Sequence, residues 1–313
     1  MQPNPIIGTE LPRKARSGKG IFRRENLDGW LFLSVSLIGY ILFRFIPIIF
    51  SFVLSFSEWN LVSGLRGIRF TGLENFIEQW SDTWFLHSLV NTFYFSVVSV
   101  PISIALSLLA AVIVNESIYF KGFVRLLLYS PHISSMVAIS IVWAVLYSPS
   151  YGPINMFLQS LGISHPPGWI SSSAWAMPSL IIMSIWQSVG YNMVIMLAGL
   201  QGIPRDYYEA AEVDGAGVLQ RFRSITIPLM SPTLFFVMIT SVIGSFQIFA
   251  QVNILTKGGP GTSTSVLVYY IYNVAFNYNR LGYANSISWV LFVMIFALTL
   301  WQWRQQKKWV HLQ

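Results

Sequence analysis

SLVNTFYFSVVSVPISIALSLLAAVIV, residues Ser88–Val114, runs for 27 residues without one charged side chain. A helix of about 20 apolar residues crosses a bilayer core, so this stretch reads as a membrane span. Backbone groups in lipid find no water to bond, which makes a helix the expected form; a barrel would show short alternating segments instead. Five further stretches qualify: Trp30–Phe56, Leu126–Tyr147, Ala174–Leu200, Ile227–Ile254 and Leu281–Trp303. None of the six contains Asp, Glu or Lys, and Arg44 is the only strongly charged residue inside them. The expected fold class is therefore all-α: a polytopic membrane protein with six transmembrane helices.

The composition points the same way. Of 313 residues, 54% are apolar and only 10% charged, against roughly 25% charged in ordinary globular chains. So little charge cannot cover a water-facing surface, which argues against a soluble enzyme, a disordered tail or a secreted scaffold. With no cysteine, thiolate chemistry, disulfides and cysteine-ligated zinc are excluded. The net charge of +7 would suit nucleic acid in a soluble chain. In so apolar a chain it marks loops held on the cytoplasmic side of a membrane, so membrane lipid and not nucleic acid is the expected surroundings.

Of the 19 Lys and Arg, 14 lie before the first span, in the loops after the second and fourth, or after the sixth. Four (Arg66, Arg69, Lys257 and Arg280) lie in the opposite loops, and Arg44 completes the set. The positive-inside rule then puts both termini in the cytoplasm. The chain divides into a basic tail at 1–29, expected to be mobile, a transmembrane domain at 30–303 and a short tail at 304–313. No small-residue cleavage site follows the basic start, so the first helix reads as an uncleaved signal-anchor. Trp59, Trp80, Trp84, Trp169 and Trp175 fall near predicted interfaces, where indole rings favour the headgroup level.

The cytoplasmic loop at 201–226 is unusually long and acidic. Pro204 suits the first turn of a helix and Asp206 puts a negative charge at its positive end. Asp206, Glu209 and Glu212 recur every three residues and make an acidic face. Tyr207, Ala210, Ala211 and Asp214 form a neighbouring face of mostly small residues. Gly215 and Gly217 would end the helix, and a second one is expected over Val218–Ser224. Small side chains let a partner approach closely, and an exposed carboxylate at Glu209 can meet a partner's guanidinium. A solvated amphipathic loop would also satisfy this pattern.

The order Glu209-Ala210-Ala211, three residues, Gly215, nine residues, Ile225, one residue, Ile227-Pro228 resembles the EAA loop of ABC importer permeases. That family's pattern has Leu where this chain has Ile227. Leu255–Pro260, ending Lys257-Gly258-Gly259-Pro260, is similar to the maltose and glycerol-phosphate branch of sugar permeases. So are Tyr270–Tyr272, Ala275-Phe276 and Gly152-Pro153-Ile154-Asn155. The resemblance covers about Trp30 to Trp303. It implies a type I permease of the bacterial inner membrane, paired with a second, distinct but similar permease. Two ATP-binding subunits would sit below, an extracytoplasmic binding protein would deliver a carbohydrate above, and ATP and Mg would be held by the ATPase subunits only. Tyr207, Tyr208, Glu209, Ala210, Ala211, Asp214, Gly215, Ala216 and Gly217 would form the coupling helix seated on one ATPase. ATP-driven closure would rock the helices from inward-open to outward-open.

No ATP site is expected in this chain. Ser17-Gly18-Lys19-Gly20 lacks the first glycine and the hydroxyl residue of a phosphate-cradling loop, and Gly258–Ser265 lacks a placed Lys. The rival class is an autonomous secondary carrier or channel for a small polar solute. Carriers coupled to protons usually keep carboxylates within the membrane, and all 12 Asp and Glu here fall in loops or tails. His132, directly after Pro131, reads as a packing residue. The four His show neither metal-ligand spacing nor a nucleophile partner, so no catalytic or metal site is expected.

Polar side chains inside helices are costly and tend to face the bundle interior. The fourth span offers Gln187, Ser188, Tyr191 and Asn192; the fifth offers Ser241, Gly244, Ser245, Gln247 and Gln251. Gln187 and Tyr191 are one turn apart on one face. Ser241, Gly244, Ser245 and Ile248 follow a helical stripe. By resemblance to the maltose branch, Gln187, Ser188, Tyr191, Ser241, Gly244, Ser245, Gln247 and Ile248 fall in the solute site. Each could equally be glue between helices. Arg44 is either an arginine satisfied locally or reaching an interface, or a fixed charge on the cavity that favours an anionic sugar.

Overall fold

The computed structural model describes residues 21–60, 62–115 and 120–309. The expected mobile tail lies, as far as residue 20, outside the described residues. The chain forms two compact units, residues 1–51 and 52–313. In the first, helix α1 (Ile21–Tyr40) passes through a π-helical turn at Ile41–Phe45 into α2 (Ile46–Ser55), which runs on past the unit boundary. Its large apolar side chains from Trp30 onward are exposed on every side, the composition of a helix surrounded by something other than water.

The second unit opens with a two-residue antiparallel pair, β1 (Ser57–Glu58) and β2 (Arg69–Phe70), in which Ser57 faces Phe70. It is the one departure from an all-helical chain among the described residues. Helices α3 (Glu74–Glu78) and α4 (Thr83–Asn115) follow. Next come α5 (Lys121–Ile133), α6 (Met136–Leu146), α7 (Pro153–Ser160) and α8 (Ala176–Gln201). The cytoplasmic loop holds α9 (Asp206–Val213) and α10 (Val218–Arg221), and α11 (Ile227–Leu229) leads into α12 (Ser231–Phe246). Helices α13 (Leu267–Tyr272) and α14 (Leu281–Trp309) complete the unit.

Four stretches are long and apolar enough to cross a membrane: Gly29–Ser55, Thr83–Asn115, Ala176–Gln201 and Leu281–Gln306. Two bent pairs make six if each is one span: α5 with α6, bent by 98°, and Val218–Leu229 with α12, bent by 67°. The third expected span is thus broken rather than continuous. Pro131 lacks the amide that would bond the carbonyl of Leu127, and the Ser130 hydroxyl donates to that carbonyl instead, at 3.0 Å. The helix then ends at Ile133, before Ser134 in extended backbone. The fifth span also stops early, at Phe246 and not at Ile254. Gln247 closes it, and Val252–Thr256 forms a separate π-helical turn.

Helix α4 is the axis on which the second unit is built. Three apolar clusters lie along it. Phe85 packs with Phe246, Leu267 and Ile287 near its start, Phe95 with Leu180 and Val252 in the middle, and Ala111 and Val114 with Met193, Met196 and Met230 near its end. Helices α5 and α8 approach unusually closely. A Cβ built on Gly190 would lie 1.8 Å from the carbonyl oxygen of Leu128, so only glycine permits this crossing.

Outside the spans, Asp82 ties three elements together. Its Oδ2 accepts hydrogen bonds from the phenols of Tyr270, at 2.5 Å, and Tyr283, at 2.7 Å. Burial, together with the carboxylate of Asp82, pushes the ionisation of the Tyr270 phenol well above its ordinary range. Arg280 grips Glu78 with both terminal nitrogens. The Gly-Gly-Pro loop is likewise fastened: the Asn91 amide donates to the carbonyls of Thr262 and Ser265, and the Tyr269 phenol donates to that of Lys257. Asn155 organises the second outward loop, donating to Pro149 and Pro167 carbonyls and accepting from the Trp169 indole.

Candidate functional site

Ser88, Thr92, Ser96, Ser99, Ser103 and Ser107 are spaced by three or four residues, so they form one continuous stripe along α4. All six are buried. Each small hydroxyl side chain lets a neighbouring backbone come close and still offers a hydrogen bond. Ser88 pairs with Ser265 at 2.8 Å, Thr92 accepts from the Leu267 amide at 2.9 Å, Ser96 pairs with Ser245 at 2.7 Å and Ser103 with Ser188 at 2.7 Å. The stripe joins α4 to α8, α12 and the loop before α13.

Where α4, α5, α8 and α12 leave space, a cavity of about 510 Å³ opens. All eight residues that the sequence places in the solute site on α8, α12 and the turn after it line this cavity: Gln187, Ser188, Tyr191, Ser241, Gly244, Ser245, Gln247 and Ile248. The walls also take Phe95, Ser99 and Ser103 from α4, His132 from α5, Ser184 and Asn192 from α8, and Phe249 and Gln251 beyond α12. Ser99 and Ser103 carried a legible signal in the hydroxyl stripe, which a search for amides and aromatic rings passes over. His132 carried none, because the break that ends α5 beside it depends on how Pro131 is accommodated.

The lining side chains divide into two kinds. One set bonds to itself. Asn192 donates to Ser103 at 3.3 Å and to Ser241 at 3.4 Å, Ser245 donates to Ser96, and Gln251 donates to Ser184 at 3.3 Å. These groups hold helices together, and Ser188, Ser241 and Ser245 belong with them. The other set, Gln187, Tyr191, His132 and Gln247, has no hydrogen-bond partner among the described residues, so its donors and acceptors are free. The His132 and Tyr191 rings lie face to face, with centroids 4.4 Å apart and planes 17° from parallel. No Asp, Glu, Lys or Arg is among the residues that line the cavity. The lining is drawn entirely from the second unit. Arg44 stands in the first, in the π-helical turn Ile41–Phe45, where it is exposed.

The cytoplasmic loop forms a second, separate feature. Helix α9 begins at Asp206, with Arg205 as its N-cap, so Pro204 lies ahead of the first turn and not within it. Its end is a Schellman motif. The Gly215 amide bonds the Glu212 carbonyl at 3.0 Å and the Ala216 amide bonds the Ala211 carbonyl at 2.8 Å. Gly215 sits at φ +77°, the left-handed conformation this closure requires. Helix α10 stops at Arg221, shorter than expected, and a π-helical turn at Phe222–Thr226 continues the chain. Arg221 reaches Glu212 at 3.1 Å, and the Tyr208 hydroxyl meets that of Thr226 at 3.0 Å. These bonds fold α9 back against the start of the fifth span. Nothing in α9 is buried. Tyr207, Val213, Val218 and Leu219 are exposed apolar side chains of this loop, and Glu209 has no ion pair among the described residues. Among the described residues no group of three or more His, Asp or Glu is placed to hold a metal ion.

Residues 29–306 match the family described as the inner membrane component of binding-protein-dependent transport systems. This chain belongs to that family. It is thus a multi-pass inner-membrane component and a non-catalytic transport subunit. Among its relatives is the lactose transport system permease protein LacF of Rhizobium radiobacter, 38% identical and covering 91% of this chain and 96% of that protein. A probable ABC transporter permease protein of Bacillus subtilis, YesP, is 36% identical, with 98% of this chain and 97% of that one covered. The trehalose/maltose transport system permease protein MalF of Thermococcus litoralis is 33% identical over 88% and 92% of the two chains. In fold, this component matches a chain of a bacterial ABC transporter involved in the import of the acidic polysaccharide alginate. The TM-score is 0.80 at 22% identity, with 92% and 98% of the chains covered.

Proposed function

We propose that this component is one of two similar transmembrane subunits of an ATP-driven importer. In this reading the importer moves an uncharged carbohydrate, such as an oligosaccharide, delivered by an extracytoplasmic binding protein. The observation that carries the reading is the cavity. Its volume is that of a small-molecule site, its walls alternate hydroxyls and amides with aromatic rings, and no charged residue lines it. Polyhydroxylated neutral solutes ask for that mixture: many groups that both donate and accept, and flat apolar faces for the C–H side of a sugar ring. The relatives named for lactose and for trehalose and maltose support the same solute class.

Energy would enter through α9. The helix has no buried residue, is small on one face and apolar at its ends, and presents a Glu209 carboxylate with no ion pair among the described residues. In this assignment the segment Tyr207–Gly217 seats on an ATP-binding partner, and ATP and Mg stay on that partner and its twin. The bonds from Arg221 to Glu212 and from Tyr208 to Thr226 would carry a displacement of α9 directly into the fifth span. Arg44 belongs to the first unit, and in this reading, built on the second, it has no assigned role in solute selection.

Proteoliposomes test the whole scheme. The purified chain alone should move no labelled lactose, maltose or trehalose. With its second permease, ATPase pair and binding protein it should import one of them when ATP is supplied. Glu209→Lys should abolish that import while leaving membrane insertion intact. Transport by the chain alone would favour the autonomous carrier, and normal ATP-driven uptake by the Lys variant would remove Glu209 from the coupling contact.

A further inference from the structure

We infer that α3, with the turn that joins it to α4, is an interfacial anchor: a surface that lies among the phospholipid headgroups of the outward leaflet and holds the ends of three helices at that level. The inference goes beyond solute transport and does not depend on which solute is carried.

The first observation behind it is a pattern. Leu73, Ile77, Trp80 and Trp84 are spaced by four, three and four residues, the spacing of one helical face. The winding this needs runs through the joint between the helices. There the Asp82 amide bonds the Glu78 carbonyl and the Leu86 amide bonds that of Asp82, each at 3.1 Å. Ile77 and Trp80 are 67% and 74% exposed, whereas Asn75 and Gln79 are 7% and 2% exposed. The amides are inside and the large apolar side chains outside. Bonding on the inner side explains this. The Asn75 amide donates to the carbonyls of Ser55 and Ser57, each at 3.0 Å. The Gln79 amide donates to the Ser286 hydroxyl at 2.8 Å, and Arg280 grips Glu78. Rolling α3 over to hide Ile77 and Trp80 would break these bonds. They also bring together the end of α2, the start of α4 and the start of α14.

Position and charge then choose the occupant. Helix α4 has 33 residues and so a length of about 50 Å, more than the roughly 40–45 Å of a bilayer with its headgroups. Its first turn, with Trp84, therefore stands at headgroup level. Val90, Tyr94 and Val97 continue the exposed face from Trp84 into the span, so the stripe is continuous with a membrane-facing surface. Arg66, Arg69, Glu58 and Glu74 are exposed beside it, and none has an ion pair among the described residues. A zwitterionic headgroup offers a phosphate to the arginines and an ammonium to the carboxylates. An apolar stripe of this size is unfavourable whenever water covers it. A binding protein docks and leaves, which would uncover the stripe in every cycle, whereas the bilayer is always present. An indole suits that boundary, being apolar except for one N–H donor.

Depth measurement tests the inference. The chain has no cysteine, so Ile77→Cys and Trp80→Cys each give it one labelling site. Each variant is assembled into the complete complex, labelled with an environment-sensitive fluorophore and reconstituted in vesicles of phosphatidylethanolamine and phosphatidylglycerol. The wild-type complex, labelled in the same way, supplies the background from the other subunits. Phosphatidylcholine brominated either near the headgroup or near the chain ends is then mixed in. Both labels should lose fluorescence, more with bromine near the headgroup than near the chain ends, and little with iodide in the water. The loss should persist when the binding protein and ATP are added. Labels open to iodide and untouched by either brominated lipid would overturn the inference, because the face would stand in water. Labels shielded from both quenchers would overturn it and assign the face to the second permease. Protection from lipid that arises only with the binding protein would overturn it and assign the face to that partner. None of these outcomes bears on the carbohydrate reading, which rests on the cavity.

Discussion

Gly190→Ala is the sharpest test of how the cavity is held in shape. The new Cβ would lie 1.8 Å from the Leu128 carbonyl oxygen, 2.4 Å from its carbon and 2.8 Å from the Tyr129 nitrogen. All three are backbone atoms and cannot rotate away. Real Cβ contacts essentially never fall under 3.0 Å, so α5 and α8 must part by at least 1.2 Å, the gap between those two distances. Overpacking of this kind costs about 1–3 kcal/mol, and alanine returns about 1 kcal/mol of helix propensity. The net expectation is a loss of up to about 2 kcal/mol and a displaced Tyr191 beside it. Gly244→Ala is the control: it makes the same chemical change in a helix where the added Cβ meets nothing within 4 Å. Thermal unfolding of detergent-purified complex, followed by tryptophan fluorescence at one scan rate, should show a lower midpoint for Gly190→Ala and no such drop for Gly244→Ala. Equal midpoints for the two variants, with unchanged uptake, would refute the claim that this crossing requires glycine.

Other outcomes follow from the same geometry. Gly215→Ala forces a side chain into φ +77° with open space around it, so it should weaken the end of α9 by about 1–2 kcal/mol through backbone strain alone. Hydrogen exchange across 206–214 should speed up while the spans stay protected. Asp82→Asn removes a charged acceptor shared by two phenols and should lower thermal stability by about 1–3 kcal/mol. Because the folded state holds the Tyr270 phenol neutral above its ordinary range, its contribution is fully present below pH about 10 and is lost as the pH rises beyond that. A stability profile should therefore be flat on this account from pH 7 to about 9.5, and an earlier loss that Tyr270→Phe abolishes would contradict the assignment. Arg44→Gln should leave the ratio of neutral to anionic sugar uptake unchanged, since the cavity lining is uncharged; a shift toward neutral sugars would return Arg44 to the site.

What could be read from the chain in advance followed from strong, local physics. Runs with at most one charge located the four span-length helices and the two bent pairs, and the fourth was placed to within two residues, because lipid admits few alternatives to a helix. The α8 and α12 cavity residues were legible because polar groups in a membrane have few places to point. The break at Ser134–Ser135 was not legible, since a proline within a span can bend a helix or end it, and which of the two Pro131 does depends on the local bonding, where Ser130 takes the carbonyl of Leu127 and the helix stops at Ile133. The fifth span was overextended for the opposite reason: Gln247–Ile254 is apolar enough to continue a helix but turns aside into the cavity wall. The division between bonded and free polar groups could not be read at all, because it depends on which hydroxyl faces which across helices far apart in sequence.

The hydroxyl stripe on α4 bears on how such a bundle can move. Rungs three or four residues apart stand about 4.5–6 Å from one another along the helix. A neighbour that slips by one turn leaves one rung and meets the next, and since a serine can serve as either donor or acceptor, the exchange strands no polar group in the interior. An apolar seam would hold each position by interlocking shape and resist sliding. A ladder of interchangeable rungs behaves more like a toothed rack, with discrete resting places of similar depth, on which a helix can be indexed without first being pulled free.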